Sequence, residues 1–210
     1  MIRIIKNIQD YFKKLNFANN QQKKIKSKGS LIHAFSQKNL IFIHIPKTAG
    51  ISIVKGIFGD VSLEGHRSVF FYKKLFKDDY TNFYTFSFVR NPWDRLYSSY
   101  EFLKRGGINI HDKNAYDLHL SKFKSFEDFV LNGLTKDLIY KITHFIPQYE
   151  FICNHRGEIL VEFLGKFESL LNDMNKLSEE INMNIILDHH NKNQKRPYTE
   201  VFTKEMESKV

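Results

Sequence analysis

The chain has 210 residues, 42% of them hydrophobic, which is enough for one soluble domain with a real core. A formal charge of +9 turns attention to anionic partners, namely a polyphosphorylated cofactor, an acidic glycan, nucleic acid or an anionic membrane, with a lysine-rich surface serving only solubility as the alternative. The single cysteine, Cys153, rules out an internal disulfide and fits a reducing compartment, and the charged run MIRIIKNIQDYFKKL offers neither a signal peptide nor a membrane span, so a cytoplasmic protein is expected.

In chain order, residues 4–15 put Ile4, Ile5, Ile8, Phe12 and Leu15 on one helical face. The reading is a short helix packed on the domain or tethered to it, with a membrane-surface helix as the alternative. NNQQKKIKSKGS (19–30) is polar and reads as a linker, so residues 1–30 form a basic N-terminal segment and 31–210 the domain. The apolar run 40–45 suits a buried parallel strand that Pro46 ends, and Ile53, Val54, Ile57 and Phe58 mark the helix that follows. NFYTFSFVR (82–90) is a second such strand. Asn91-Pro92 breaks it, and Trp93, Leu96, Tyr100 and Leu103 mark the next helix, whose first turn tolerates the proline. SFED (125–128) predicts an N-terminal cap with Phe126, Phe129 and Val130 turned inward. EILVEFLGKF (158–167) holds a third strand, and Leu170, Leu171, Met174, Leu177 and Ile181 line one face of the helix after it. Strands alternating with helices predict an α/β fold, a sandwich of helices around a mostly parallel sheet.

Ligands of such sheets bind at the carboxyl ends of the strands. Lys47 sits where the chain leaves the first strand, and Thr48, Ala49 and Gly50 are small enough for backbone N–H groups to approach a ligand. The helix beginning near Gly50 adds unpaired N–H groups and its positive end, and Ser52 adds a hydroxyl, which makes a cradle for phosphate or sulfate. A nucleoside-triphosphate P-loop wants glycines six and one positions before its lysine, where this chain has Ile41 and Pro46, which argues against an ATP or GTP hydrolase. The second strand ends on Arg90, a fork of donors suited to a phosphate, with Ser98 about two turns further on. Two cationic strand ends point to a ligand with two separated anionic groups. The plainer alternatives are a surface lysine, an arginine in an internal ion pair and a serine used for close packing.

HIPKTAG, FVRNPWDRLYSSY, HFIPQ, GKFESLLND and HHNKNQKRPY occur in that order, and from about residue 40 onward the chain resembles the carbohydrate-type sulfotransferases, sulfotransferase family 2. The resemblance implies a three-layer, P-loop NTPase-like topology and the donor 3′-phosphoadenosine 5′-phosphosulfate. Its phosphosulfate would lie on Lys47, Thr48, Ala49, Gly50, Ile51 and Ser52, and its 3′-phosphate on Arg90 and Ser98. Ile51 departs from the family, which usually has a hydroxyl residue there. Lys47 would stabilise charge on the departing phosphate oxygen. The resemblance points to His66, in EGHRS, as the base that takes the proton of a carbohydrate or glycoconjugate hydroxyl, the alternative being a structural histidine. His144 and Gln148 would line the acceptor pocket, against a simple helix-end contact. Lys195 and Arg196 would belong to a basic loop closing over the nucleotide, against a solvated charge run.

Other residues read less specifically. His44, inside the first strand, suits a core or supporting role; Trp93 suits the core; Arg67 and Arg95 either touch a ligand or pair with acids such as Asp94. Rival functions are a non-catalytic nucleotide-binding module that lost its base and a small-molecule kinase of P-loop-like fold. The kinase needs a metal-holding carboxylate after a strand, and none is found. Nucleic-acid binding has only the net charge behind it, because the aromatics fall at core periodicity.

Overall fold

Three of the apolar runs become strands of one parallel sheet, β1 (Leu40–Ile43), β2 (Tyr84–Val89) and β3 (Phe163–Lys166), with β2 in the middle. The structure, a computed structural model, describes residues 17–187 and 196–210, so the amphipathic run expected at 4–15 and Lys195 lie outside the described residues. All four residues of β1 are buried. Since successive side chains point to opposite faces, both faces of this strand are covered, as parallel sheets require. The register aligns Phe42 with Phe86 and Phe86 with Phe163, and the Phe42 and Phe86 rings stack at 5.0 Å. Gly165 interrupts β3 for a steric reason: a Cβ there would lie 2.3 Å from the Phe88 ring. Helices Gly50–Phe58 and Val69–Phe76 carry the chain from β1 to β2. Pro92–Lys104, Ile110–His119 and shorter helical turns as far as Tyr149–Ile152 lead from β2 to β3, the long crossovers that parallel pairing demands.

The apolar spacing places most of the core correctly. Ile53, Val54, Ile57 and Phe58 pack with the sheet residues in one buried cluster. Leu96, Tyr100, Leu103, Phe126, Phe129 and Val130 form a second, with the C-terminal helix Lys204–Lys209 contributing Met206. Ser125 caps its helix as expected, and Asn91, read only as part of a strand break, caps the next helix, the side chain of each accepting from backbone N–H groups of the first turn. Trp93 is only half-buried; it lies beside the second cluster, stacks on Tyr198 and donates its Nε1–H to the Glu207 carbonyl.

Three sequence expectations need correction. First, β1 ends at Ile43, and Ile45 is buried but outside the ladder. Second, Leu171 is 54% exposed. Helix Leu170–Glu180 instead buries Asp173, whose Oδ2 accepts from the Lys166 N–H and the Ser169 hydroxyl, and this rolls Leu171 outward. Third, the polar stretch read as a linker is helical through residue 26. Gln22 Nε2 donates to the Leu75 carbonyl, and Lys24 pairs with Glu64 at 2.6 Å. An ion pair with so exposed a lysine is worth at most about 1 kcal/mol. The firmer tie is backbone: Ser62 N–H donates to the Gly29 carbonyl at 2.8 Å, and Ser30 and Ser62 form a parallel bridge. The segment 24–30 thus braces the extended run 61–68 that carries His66.

Candidate active site

The turn after β1 has an unusual backbone. Lys47 (φ 69°) and Ala49 (φ 66°) are both left-handed, while Thr48 and Gly50 are not. Alternating handedness turns successive N–H groups into one concave face, the geometry of anion-binding nests. Left-handed non-glycine residues cost about 1–2 kcal/mol each, and such strain concentrates at functional sites. Thr48 is fully buried, and its hydroxyl donates to the Ile45 carbonyl at 2.9 Å, so its side chain closes the turn. Helix Gly50–Phe58 starts from Ala49 with no side-chain cap. The first N–H groups of the helix therefore have no partner within it, and its positive end faces the same side as the nest. Ile51 is exposed at this end and Ser52 half-buried. The Lys47 ammonium lies 3.9 Å from the centre of the Phe102 ring, a close cation–π contact.

Arg90, only 7% exposed, joins the two strand ends directly. Its Nε and Nη2 both donate to Asp94 Oδ2 (2.8 and 2.6 Å), and its Nη1 donates to the Lys47 carbonyl (2.9 Å) and to Ser98 Oγ (3.3 Å). Four of the five guanidinium N–H groups are thus held inside the protein, and Phe167 covers the guanidinium at 4.0 Å. The ion pair given above as the plain alternative for Arg90 is formed, and Ser98 lies against the same guanidinium. Gln148 clamps the same residue through its backbone, accepting from Arg90 N–H at 2.9 Å and donating to Arg90 O at 2.7 Å. Arg95 makes no ion pair with Asp94. Its Nη1 and Nη2 donate to the His144 and Ile146 carbonyls, and burial, with the charge of Arg90, pushes its pKa down to about 10. Arg67 lies over the Phe17 and Phe71 rings. Arg196 is exposed and acts electrostatically on Tyr97.

Three imidazoles gather beside Lys47. His66 Nδ1 is 3.0 Å from the His44 carbonyl. A carbonyl only accepts, so Nδ1 carries the proton and Nε2 of the neutral ring is left with its lone pair. The His66 ring meets His44 edge-on at 4.4 Å and His144 at 5.7 Å. Burial is the first cause that lowers the pKa of all three. It acts with Lys47 and the neighbouring rings to hold His44 well below the usual histidine range and, together with Arg95, to bring His144 to about 3. All three rings are therefore neutral at pH 7. Among the described residues, no group of three His, Cys, Asp or Glu side chains is disposed to hold a metal ion.

Gly50 is what lets His44 sit here. A Cβ at position 50 would lie 1.9 Å from His44 Nε2. Gly50→Ala should therefore destabilise the fold by about 1–3 kcal/mol in urea unfolding, as overpacking does. Adding His44→Ala should recover much of that loss, a coupling that additive effects cannot produce.

The structure brings Lys47, Thr48, Ala49, Gly50, Arg90, Ser98, His44, His66 and His144 into one neighbourhood. Phe102 and Asp112, which approaches His144, are site residues that the sequence reading missed, and neither has a local signal beyond helical spacing. The fold is of the α/β class, with a cationic turn between its first strand and the helix that follows. Within that class the assignment is specific. The model of the sulfotransferase family, in its family 2 form, matches residues 32–209, and the chain belongs to that family. An uncharacterized protein of Archaeoglobus fulgidus is 35% identical over 112 residues, covering 53% of this chain and 74% of its own length. No solved structure gives a significant match. Among the described residues, no helix is long and apolar enough to cross a membrane.

Proposed function

We propose that the chain transfers a sulfuryl group from 3′-phosphoadenosine 5′-phosphosulfate to a hydroxyl of a carbohydrate or glycoconjugate acceptor. Family membership supports sulfuryl transfer. The observation that carries the detailed reading is the bond from His66 Nδ1 to the carbonyl of His44, three residues before Lys47. It joins a neutral base and a cation to the same strand end. On this reading the domain is 31–210 and its sheet is the centre of a three-layer, P-loop-like sandwich. The single cysteine accords with a cytoplasmic location.

The donor supplies an activated sulfuryl group whose departure leaves charge on a phosphate oxygen. The uncapped helix start and the alternating turn suit the phosphosulfate. Lys47 leaves its contact with Phe102 to hold the negative charge. Thr48 contributes by shaping the turn, while the backbone of Ala49, Gly50 and Ile51 and the hydroxyl of Ser52 face the anion. Arg90 and Ser98 take the 3′-phosphate by exchanging their weak 3.3 Å contact for the phosphate oxygens while Asp94 keeps hold of the guanidinium. Lys195 and Arg196 close over the nucleotide. His66 Nε2 accepts the acceptor's proton, and His44 orients His66 through its carbonyl.

Thermal unfolding with adenosine 3′,5′-bisphosphate tests the donor site. At a hundred times its dissociation constant the nucleotide should add about 2.7 kcal/mol to stability. ATP with Mg²⁺ should add much less. Equal stabilisation by the two would favour the kinase reading.

A further inference from the structure

The resemblance assigns Gln148 to the acceptor pocket, yet both ends of its side-chain amide are engaged on Arg90. The β2–β3 ladder stops where Val89 pairs with Lys166, so Arg90 stands just beyond it. There Gln148 takes the place of a neighbouring strand: its Oε1 accepts from the Arg90 N–H at 2.9 Å and its Nε2 donates to the Arg90 carbonyl at 2.7 Å. The residues just before Gln148 are tied to the helix that follows Arg90. The His144 carbonyl accepts from Arg95 Nη1 and Ser99 Oγ, and the Ile146 carbonyl from Arg95 Nη2. Arg95 and Ser99 lie within a turn of Ser98 on helix Pro92–Lys104. Arg90, Arg95 and Ser99 are all buried, where a polar group that loses its partner is costly, so these bonds resist sliding. Asp94 also links strand end and helix, but through the guanidinium itself. Gln148 holds the main chain, and so sets the point from which the guanidinium extends.

We propose that residues 144–148 form a splint that fixes Arg90 relative to Ser98, and that Gln148 is a positioning residue for the donor's 3′-phosphate rather than a contact of the acceptor. The proposal rests on the reading that Arg90 and Ser98 hold that phosphate. A phosphate shared by two side chains needs them at one spacing, and Arg90 Nη1 and Ser98 Oγ already stand 3.3 Å apart. One side chain comes from the end of a strand and the other from the second turn of a helix, and the splint bonds to both elements. The turn proposed for the other end of the nucleotide keeps its shape through bonds of its own, from Thr48 Oγ1 to the Ile45 carbonyl and from the Ile53 N–H to the Ala49 carbonyl. Arg90 Nη1 also reaches that turn, at the Lys47 carbonyl, so loss of the splint should be felt there weakly and at the 3′-phosphate strongly.

Gln148→Met keeps the length of the side chain and removes both bonds. Isothermal titration of the full chain with adenosine 3′,5′-bisphosphate and with adenosine 5′-phosphate reads the two ends of the site separately. In the variant the bisphosphate should bind about tenfold more weakly, and the 5′-phosphate at most about twofold more weakly. A residue that only supports the fold would weaken both alike, and an acceptor contact would weaken neither; either result overturns the proposal. Should the variant not fold, the unmodified chain decides. Because coupling is reciprocal, bound bisphosphate should slow amide hydrogen exchange at Arg90 about tenfold more than bound 5′-phosphate does, and equal protection overturns the proposal. An unmodified chain that binds the two nucleotides equally well removes the 3′-phosphate from Arg90 and Ser98, and the donor reading falls with the splint. A preference for the bisphosphate that Gln148→Met keeps in full sinks the splint alone.

Discussion

Lys47→Ala should lower the single-turnover rate of sulfuryl transfer by about 10²–10³-fold, the usual cost of removing a group aimed at developing negative charge. Stability should change far less than the rate. One contact of the side chain is the Phe102 ring, and a cation–π contact at a part-exposed site is worth about 0.5–1 kcal/mol. The structural work of residue 47 is done by its backbone: its carbonyl accepts from Arg90 Nη1, and its left-handed φ shapes the turn, both of which alanine retains. Transfer of labelled sulfate and urea unfolding, measured on the same preparation, separate the two effects. A variant that loses rate and stability in proportion, or loses neither, removes Lys47 from the chemistry.

How much of this was legible in the sequence depends on how far apart the interacting residues lie. The end of β2 was legible because Asn91-Pro92 interrupts an apolar run, while Pro46 set the end of β1 two residues too late; the helices were legible because Ile53, Val54 and Ile57 or Leu96, Tyr100 and Leu103 repeat at helical spacing. The cap at Ser125 is local and was anticipated, whereas Arg90 and Ser98 were read as sharing a phosphate and are found in direct contact. What spacing does not carry is long-range contact. Gly50 looked like a ligand-approach glycine, yet the structure shows that its missing Cβ also makes room for His44. Gln148 clamps a strand end 58 residues away, and Lys47 lies over a ring contributed by a helix that begins beyond β2. The helix ending at residue 26 was hidden by its polarity, because Gln22 and Lys24 attach it through the Leu75 carbonyl and Glu64 rather than through an apolar stripe. At Arg90 both readings of the sequence have physical content: the guanidinium is built into the fold and still borders the turn proposed for the donor.

His66→Ala should cost about 10²–10⁴-fold in transfer, the range for loss of a general base. Its pH dependence is the more discriminating result. Burial lowers the His66 pKa from 6.5, against the opposing influences of the His44 carbonyl and Asp112, while Lys47 and Arg95 lower it further. The reactive form is the neutral ring, so the rate should rise with pH and level off with a midpoint below that of an ordinary histidine. Asp112→Asn removes a carboxylate that favours the imidazolium and should move this midpoint lower still; a shift upward would contradict the electrostatics. Single-turnover rates measured from about pH 4 to about pH 8, on both sides of the ordinary histidine value, test this. In His66→Ala the acid limb should vanish along with the rate. An acid limb that survives unchanged in the variant would assign the proton transfer to a different group; the neighbouring imidazoles are His44 at 4.4 Å and His144 at 5.7 Å, and burial lowers the pKa of each.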